Sequence, residues 1–256
     1  MVKQTKKVYQ ASKITTTVAS GEYLMKVDAN GKVTIISLDN LKTSIYGGMN
    51  MNAIEDGIFI MFHRNSDNYP LMVKPHKWPS YQSSGEIAEG VVIVEGGKIL
   101  VVAPTETALT WSSAAVSGGA TTTTDRVVAM NDWAGRTNTT SILNHSTSSA
   151  ITNTSSYAPG YCNNYSRVNA NGNGMTAGKW WLPSLGEMMM IYANMTKVNY
   201  ALSLINGADQ LQETWYWTST EYSATNAWFL NLDGGVSNGP KASGTYRVRA
   251  VSAFLY

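Results

Sequence analysis

From Ser112 to Asn173 the chain runs through Ser, Thr, Asn and Gly with scattered Trp, Tyr and Arg and no sustained hydrophobic period. A compact domain holds so long an irregular stretch only when it is functional or pinned by buried anchors. Trp111, Trp133, Tyr157, Tyr161 and Tyr165 are the anchors expected here. The 256 residues are enough to enclose a sizeable core. Cys162 is the single cysteine, which excludes an intrachain disulfide and any multi-cysteine zinc or iron–sulfur site. Charged residues make up 14% and the net charge is +2, so a polyanion-binding surface, and with it nucleic acid as a partner, is not expected. The 8 Trp and 14 Tyr beside 22 Gly favour an aromatic, loop-rich recognition surface over a metabolic enzyme.

Lys3, Lys6, Lys7 and Lys13 give the chain a basic start that reads as a solvated terminus. The apolar segment of about 7–15 residues that a secretory signal requires does not follow it, so Sec export is not expected. The apolar runs at 90–94 and 99–103 fall far short of the roughly 20 residues of a membrane helix, and a soluble chain without membrane insertion is expected.

Short-range signals divide the chain. Runs around Tyr23–Val27 and Lys32–Ile36, separated by Asp28-Ala29-Asn30-Gly31, predict a hairpin. Ser37 to Lys42 starts with a residue suited to capping a short helix, and Gly47-Gly48 breaks the chain, which places a domain boundary near residue 50. Gly57 to Phe62 reads as a buried strand and residues 64–84 as a loop rich in Asn, Pro and Ser. Val91–Val94 and Lys98–Ala103 flank Glu95-Gly96-Gly97 as the clearest hairpin. Ser184-Leu185-Gly186-Glu187 matches a capping box behind Pro183, with Met188, Met189, Ile191, Tyr192 and Met195 as the apolar face. A second helical stretch runs from Lys197 to Ile205 and stops at Asn206-Gly207. Strands are expected at Trp215–Thr220, Ala227–Leu232 and Thr245–Val251, with turns at Asp233-Gly234-Gly235 and Ser237–Pro240. Alternation puts Trp228, Leu230 and Leu232 on a packing face and leaves Phe229, Asn231 and Asp233 on a face free to bind.

Catalytic patterns are sparse. His63, His76 and His145 have no metal-ligand spacing, and no Gly-x-Ser-x-Gly or phosphate-binding loop occurs. Gly172-Asn173-Gly174 follows a polar loop and sets a turn, while the Met188-Met189-Met190 run packs as core. Cys162 reads as a buried or loop thiol without function, and Glu187 is committed to its cap. Paired with Glu221, it leaves a carbohydrate-active enzyme only as a distant alternative.

The segments GKWWLPSLGE (178–187), YWTSTEYSATNAWFLNLDGG (216–235) and YRVRAVSAF (246–254) together resemble the C-type-lectin-fold variable proteins of diversity-generating retroelements, found in bacteriophages and gut bacteria. Weaker similarity at Asp56-Gly57-Ile58, 90–93, Trp111 and 132–139 extends the resemblance over residues 51–256. It implies an α+β, C-type lectin-like domain of mixed β-sheets, two helices and long irregular loops. Residues 1–50 then form a small β-rich segment resembling the virion-attachment or trimerisation segments of tail-fibre proteins. In this family a retroelement rewrites adenines, and an Asn codon so treated cannot become Lys, Glu, Gln, Met or Trp. Between Tyr222 and Tyr246 only Trp228 and Lys241 fall outside the reachable set.

The resemblance thus implies a variable region at about 216–250. Its ligand-facing positions are expected at Tyr222, Thr225, Asn226, Phe229, Asn231, Asp233, Asn238, Ser243, Gly244 and Tyr246. Trp217, Glu221, Trp228, Arg247 and Arg249 are expected as scaffold, with Glu221 paired to an arginine beneath the binding loops. Two departures restrict what carries over. The Glu-Pro-Asn and Trp-Asn-Asp motifs of calcium-dependent sugar lectins are missing, so no metal is expected, and one cysteine cannot supply the active-site pair of formylglycine-generating enzymes. The expected protein is a non-enzymatic homotrimer without cofactor. It would bind a protein or glycan on bacterial cells from a phage tail in the virion, joined to other tail proteins through residues 1–50. A bacterial cell-surface adhesin is the rival.

Overall fold

The computed structural model describes residues 23–27, 33–37, 55–145 and 153–253. The chain divides into two units, Met1–Ala53 and Ile54–Tyr256. In the first, β1 (Tyr23–Val27) and β2 (Val33–Ser37) pair antiparallel from Tyr23 opposite Ser37 to Val27 opposite Val33, at the two runs expected to form a hairpin. The connecting turn and the helix expected beyond Ser37 lie outside the described residues.

The second unit is mixed α+β, with two five-stranded sheets. One has the order β14-β6-β5-β3-β4, built from β3 (Gly57–His63), β4 (Pro70–Val73), β5 (Gly90–Glu95), β6 (Lys98–Val102) and β14 (Val251–Ser252). Gly96 and Gly97 both take positive φ between Glu95 and Lys98, the geometry that a tight two-residue hairpin needs. Both faces of this sheet are covered, which explains why its strands read as continuous apolar runs. Ile58, Ile60, Phe62, Val91, Ile93 and Val102 enter one core with α5 (Leu185–Ala193) and α6 (Met195–Ser203). Met61, Val92, Val94 and Val101 enter a second core with Trp111, Ile142, Cys162 and Trp180.

The other sheet has the order β12-β11-β10-β13-β7 and contains β7 (Thr107–Leu109), β10 (Trp215–Glu221), β11 (Asn226–Asn231), β12 (Gly235–Pro240) and β13 (Tyr246–Val248). A two-stranded ribbon, β8 (Arg167–Val168) with β9 (Gly174–Met175), completes the strands. α5 carries the expected capping box: Ser184 Oγ accepts from Glu187 N, and Glu187 Oε2 accepts from Ser184 N at 2.9 Å.

Several sequence expectations are corrected by tertiary context. Residues 64–84 are not a loop; they contain β4, a 3-10 turn at Pro75–Lys77 and α1 (Trp78–Ser83). Pro70 is tolerated because β4 lies at a sheet edge, Pro79 sits in the first turn of α1, and Phe62 packs against the Trp78 and Tyr81 rings. The polar stretch 112–173 holds α2 (Arg126–Met130), α3 (Gly135–Asn144) and α4 (Ala158–Asn164), so the described residues contain six α-helices where two were expected. Their propensity is poor, and burial of Ile142 and Cys162 with the Asn138 and Thr139 hydrogen bonds overrides it. Trp111 is a fully buried anchor, whereas Trp133 is 38% exposed. Ser237–Pro240 is an edge strand and not a turn, again with its proline where no ladder donor is needed. The single strand expected at Thr245–Val251 splits into β13 and β14, which belong to different sheets.

Candidate binding face

The sheet that ends in β12 carries the expected ligand-facing positions. Thr225, Asp233 and Ser243 are exposed, and Tyr222, Asn226, Asn231, Asn238, Gly244 and Tyr246 are half-buried. Phe229 is 6% exposed, which corrects the expectation that its face of β11 is free. Its ring packs edge-on against Trp215 at 4.5 Å and against Trp217 at 5.7 Å, and lies 4.7 Å from Tyr246. Both faces of β11 are therefore covered, Trp228 and Leu230 by one core and Ala227 and Phe229 by the other.

The ten positions consequently do not share one face. Trp228 pairs in register with Asn238, and Asn226 Nδ2 donates to Asn238 Oδ1 at 2.8 Å, so these two asparagines flank Trp228 on its side of the sheet. The Tyr222 ring packs against Trp228 on that same side. Phe229, Asn231 and Tyr246 belong to the opposite side, where Tyr246 also packs edge-on against Trp217 at 4.7 Å. Gly239 and Gly244 leave the room these rings occupy. A Cβ on Gly239 would lie 2.6 Å from Phe229, and one on Gly244 would lie 2.8 Å from Tyr246.

Beneath the loops lie two buried ion pairs. Glu221 binds Lys241 Nζ, both side chains fully buried, where an arginine partner was expected. The carboxylate also accepts from Gly118 N at 2.9 Å and Ala120 N at 2.8 Å. The ammonium donates further to the carbonyls of Val116, Ser223 and Ala224 and stands 4.6 Å over the Trp111 ring. The 116–120 and 223–224 backbones are thereby tied to one pair. Desolvation lowers the Lys241 pKa, and the Glu221 carboxylate opposes that shift.

The second pair joins Arg249 Nη2 to Glu106 Oε2 at 2.6 Å. Arg249 also donates to the carbonyls of Ala103 and Asp209, Tyr216 OH donates to Glu106 at 2.8 Å, and Arg247 Nη1 lies 3.5 Å from its other oxygen. Burial and the neighbouring Glu106 charge raise the Tyr216 pKa, so its hydroxyl stays protonated. Arg249, where the chain passes between the two sheets, is fully buried, whereas Arg247 is partly exposed. Sequence reasoning missed Glu106 and the pairing of Lys241 with Glu221, having Lys241 only as scaffold or adjacent to it. The one available signal was that Lys241 lies outside the adenine-reachable residue set.

Other chemistry-bearing groups are engaged elsewhere. His63 Nδ1 and N both lie 2.7 Å from Glu89 Oε1 in a buried pair. Burial pushes the Cys162 thiol well above its usual range, which suppresses the nucleophilic thiolate. Glu187 is held by Ser184 N and by Trp181 Nε1 at 3.1 Å, and burial raises its carboxyl from 4.5 to about 7. Among the described residues no group of three or more His, Cys, Asp or Glu is placed to hold a metal ion, and no helix is long and apolar enough to cross a membrane.

The chain matches no family model and no curated protein. A solved structure of a fimbrial protein from Bacteroides ovatus aligns at a TM-score of 0.43 and 16% identity, covering 60% of this chain. The alignment spans 35% of that fimbrial chain.

Proposed function

We propose that residues 54–256 form a C-type lectin-like, non-enzymatic binding domain whose 222–246 region is a diversified recognition surface for a protein or glycan on bacterial cells. Its proposed setting is a phage tail tip. The observation that carries the reading is a match between codon chemistry and burial. Trp228 and Lys241, the two residues of that region that adenine rewriting of an Asn codon cannot produce, are 4% and 0% exposed. Thr225, Asp233 and Ser243, the exposed positions expected to face the ligand, all lie within the reachable set. The Glu221–Lys241 pair supports the same reading, because it holds the loop backbones by groups that need not vary. Half-buried Tyr222 and Tyr246 would give contact area at low rotamer entropy, with Asn, Ser and Thr adapting their hydrogen bonds. A trimer assembled through residues 1–50 would multiply weak single-site affinity.

The test is binding of the full chain to intact gut bacterial cells, with and without chelator, beside a variant carrying Thr225→Arg, Asp233→Arg and Ser243→Arg. Selective, chelator-insensitive binding that this variant loses at unchanged melting temperature is the expected result. Binding that survives the three substitutions overturns the reading. Antibody labelling of bacterial surfaces in place of phage tails would transfer the same recognition surface to an adhesin.

A further inference from the structure

Away from the 222–246 region, a cleft of about 190 Å³ opens between the start of β6, the α2–α3 connection and α5, lined by Lys98, Leu100, Trp133, Trp181, Glu187 and Met190. Six of the eight tryptophans are at most 5% exposed, yet Trp133, which lines this cleft, is 38% exposed. Leaving an indole uncovered forfeits burial worth about 25 cal/mol per Å² of apolar area. Lys98 Nζ stands 4.2 Å over that ring and has no ion-pair partner among the described residues. The third element is a carboxyl. Glu187 is 6% exposed, and the Trp181 and Ser184 hydrogen bonds to its carboxyl both fall on Oε2, so Oε1 has none among the described residues.

We infer that this cleft is a binding site for a single saccharide ring, which would lay its C–H face on the part of the Trp133 indole that Lys98 leaves open and share its hydroxyls between Glu187 Oε1 and Lys98 Nζ. Each feature narrows the ligand class. The volume lies below the roughly 300–1,000 Å³ of a drug-sized pocket, which leaves room for one ring. An organic cation is disfavoured because the chain's own Lys98 and Arg136 already stand over the Trp133 and Trp181 rings. A free acid is disfavoured by the nearly buried Glu187 carboxyl. A hydroxyl both donates to a carboxylate oxygen and accepts from an ammonium, so a neutral polyol ring satisfies both groups. Burial raises the Glu187 carboxyl to about 7, so near neutral pH a protonated form is also on hand to donate. Trp181, Met190 and Leu100 supply the apolar wall.

The test is saturation-transfer NMR of the full chain with the methyl glycosides of glucose, galactose, mannose, fucose and N-acetylglucosamine, read together with the indole N–H signals. Transfer to at least one glycoside is expected, with movement of the Trp133 indole signal. Affinity should fall by about tenfold, the equivalent of 1.4 kcal/mol, in both Trp133→Ala and Lys98→Met at unchanged melting temperature. Tyr246→Ala should retain that binding, which separates this site from the 222–246 surface. Absence of transfer to all five glycosides overturns the inference. So does binding that ignores both cleft substitutions, or binding lost in Tyr246→Ala alone.

Discussion

Lys241 Nζ and the Glu221 carboxylate form an ion pair from which both side chains are wholly withdrawn from solvent, at the point where β10 ends and β12 hands over to the 241–245 loop. The pair also takes in the amides of Gly118 and Ala120 and the carbonyls of Val116, Ser223 and Ala224. The 116–120 and 223–224 backbones are thus held by one buried charge centre, through main-chain groups and not through side chains of the proposed surface.

Removing one partner leaves the other charge buried and uncompensated. Lys241→Met or Glu221→Gln should each destabilise the fold by about 3–5 kcal/mol, with the double substitution recovering part of that loss. Urea unfolding of the four-member cycle measures this. Additive single losses would show that the two groups act independently.

Phe229 and Thr225 should separate scaffold from surface. Phe229→Ala removes a ring held among Trp215, Trp217 and Tyr246 and should lower stability by about 3–5 kcal/mol. Thr225→Ala, on an exposed loop, should stay within about 0.5 kcal/mol. Thermal melts of the two variants decide the matter. Equal stability of the pair would restore Phe229 to the freely variable set.

Glu187 predicts a pH dependence. Burial raises its carboxyl from 4.5 in the unfolded chain to about 7, so the native state binds more protons than the unfolded state across that window. Its contribution is fully present below pH 4.5 and is lost as pH rises towards about 7, a decline of about 3 kcal/mol at most. Glu187→Gln should flatten this part of the stability profile. A variant profile parallel to the wild type between those pH values would assign the slope to other groups.

Gly135 sits where Glu187 folds back over its own helix start. A Cβ there would overlap Glu187 Oε2 and lie 2.8 Å from Ser184 N, so Gly135→Ala should displace the capping carboxylate. The expected loss is about 1–3 kcal/mol for overpacking together with about 1 kcal/mol for the cap. Ser184→Ala alone should show the cap term, and chemical denaturation of both variants compares them.

The sequence alone determined those elements whose signals are local. The 184–187 capping box, the Gly96-Gly97 hairpin and the alternation in β11 each arise from backbone conformations that neighbouring residues dictate. The exposure of Thr225, Asp233 and Ser243 was legible for the same reason, because small polar residues in short loops are seldom drawn inside. Tertiary structure alone decided the rest. Alternation assigned Phe229 to a second face but could not show that Trp215, Trp217 and Tyr246 cover it, since Tyr246 arrives from a different strand. The helices within 112–173 form from residues of poor propensity because Ile142 and Cys162 find core partners, and Thr139 a hydrogen bond with Leu182, far along the chain. The choice of Lys241 over an arginine for Glu221, and of Glu106 for Arg249, was equally hidden. Charge pairing inside a protein depends on which groups the packed sheets desolvate together, a property of the assembled fold that no sequence spacing encodes.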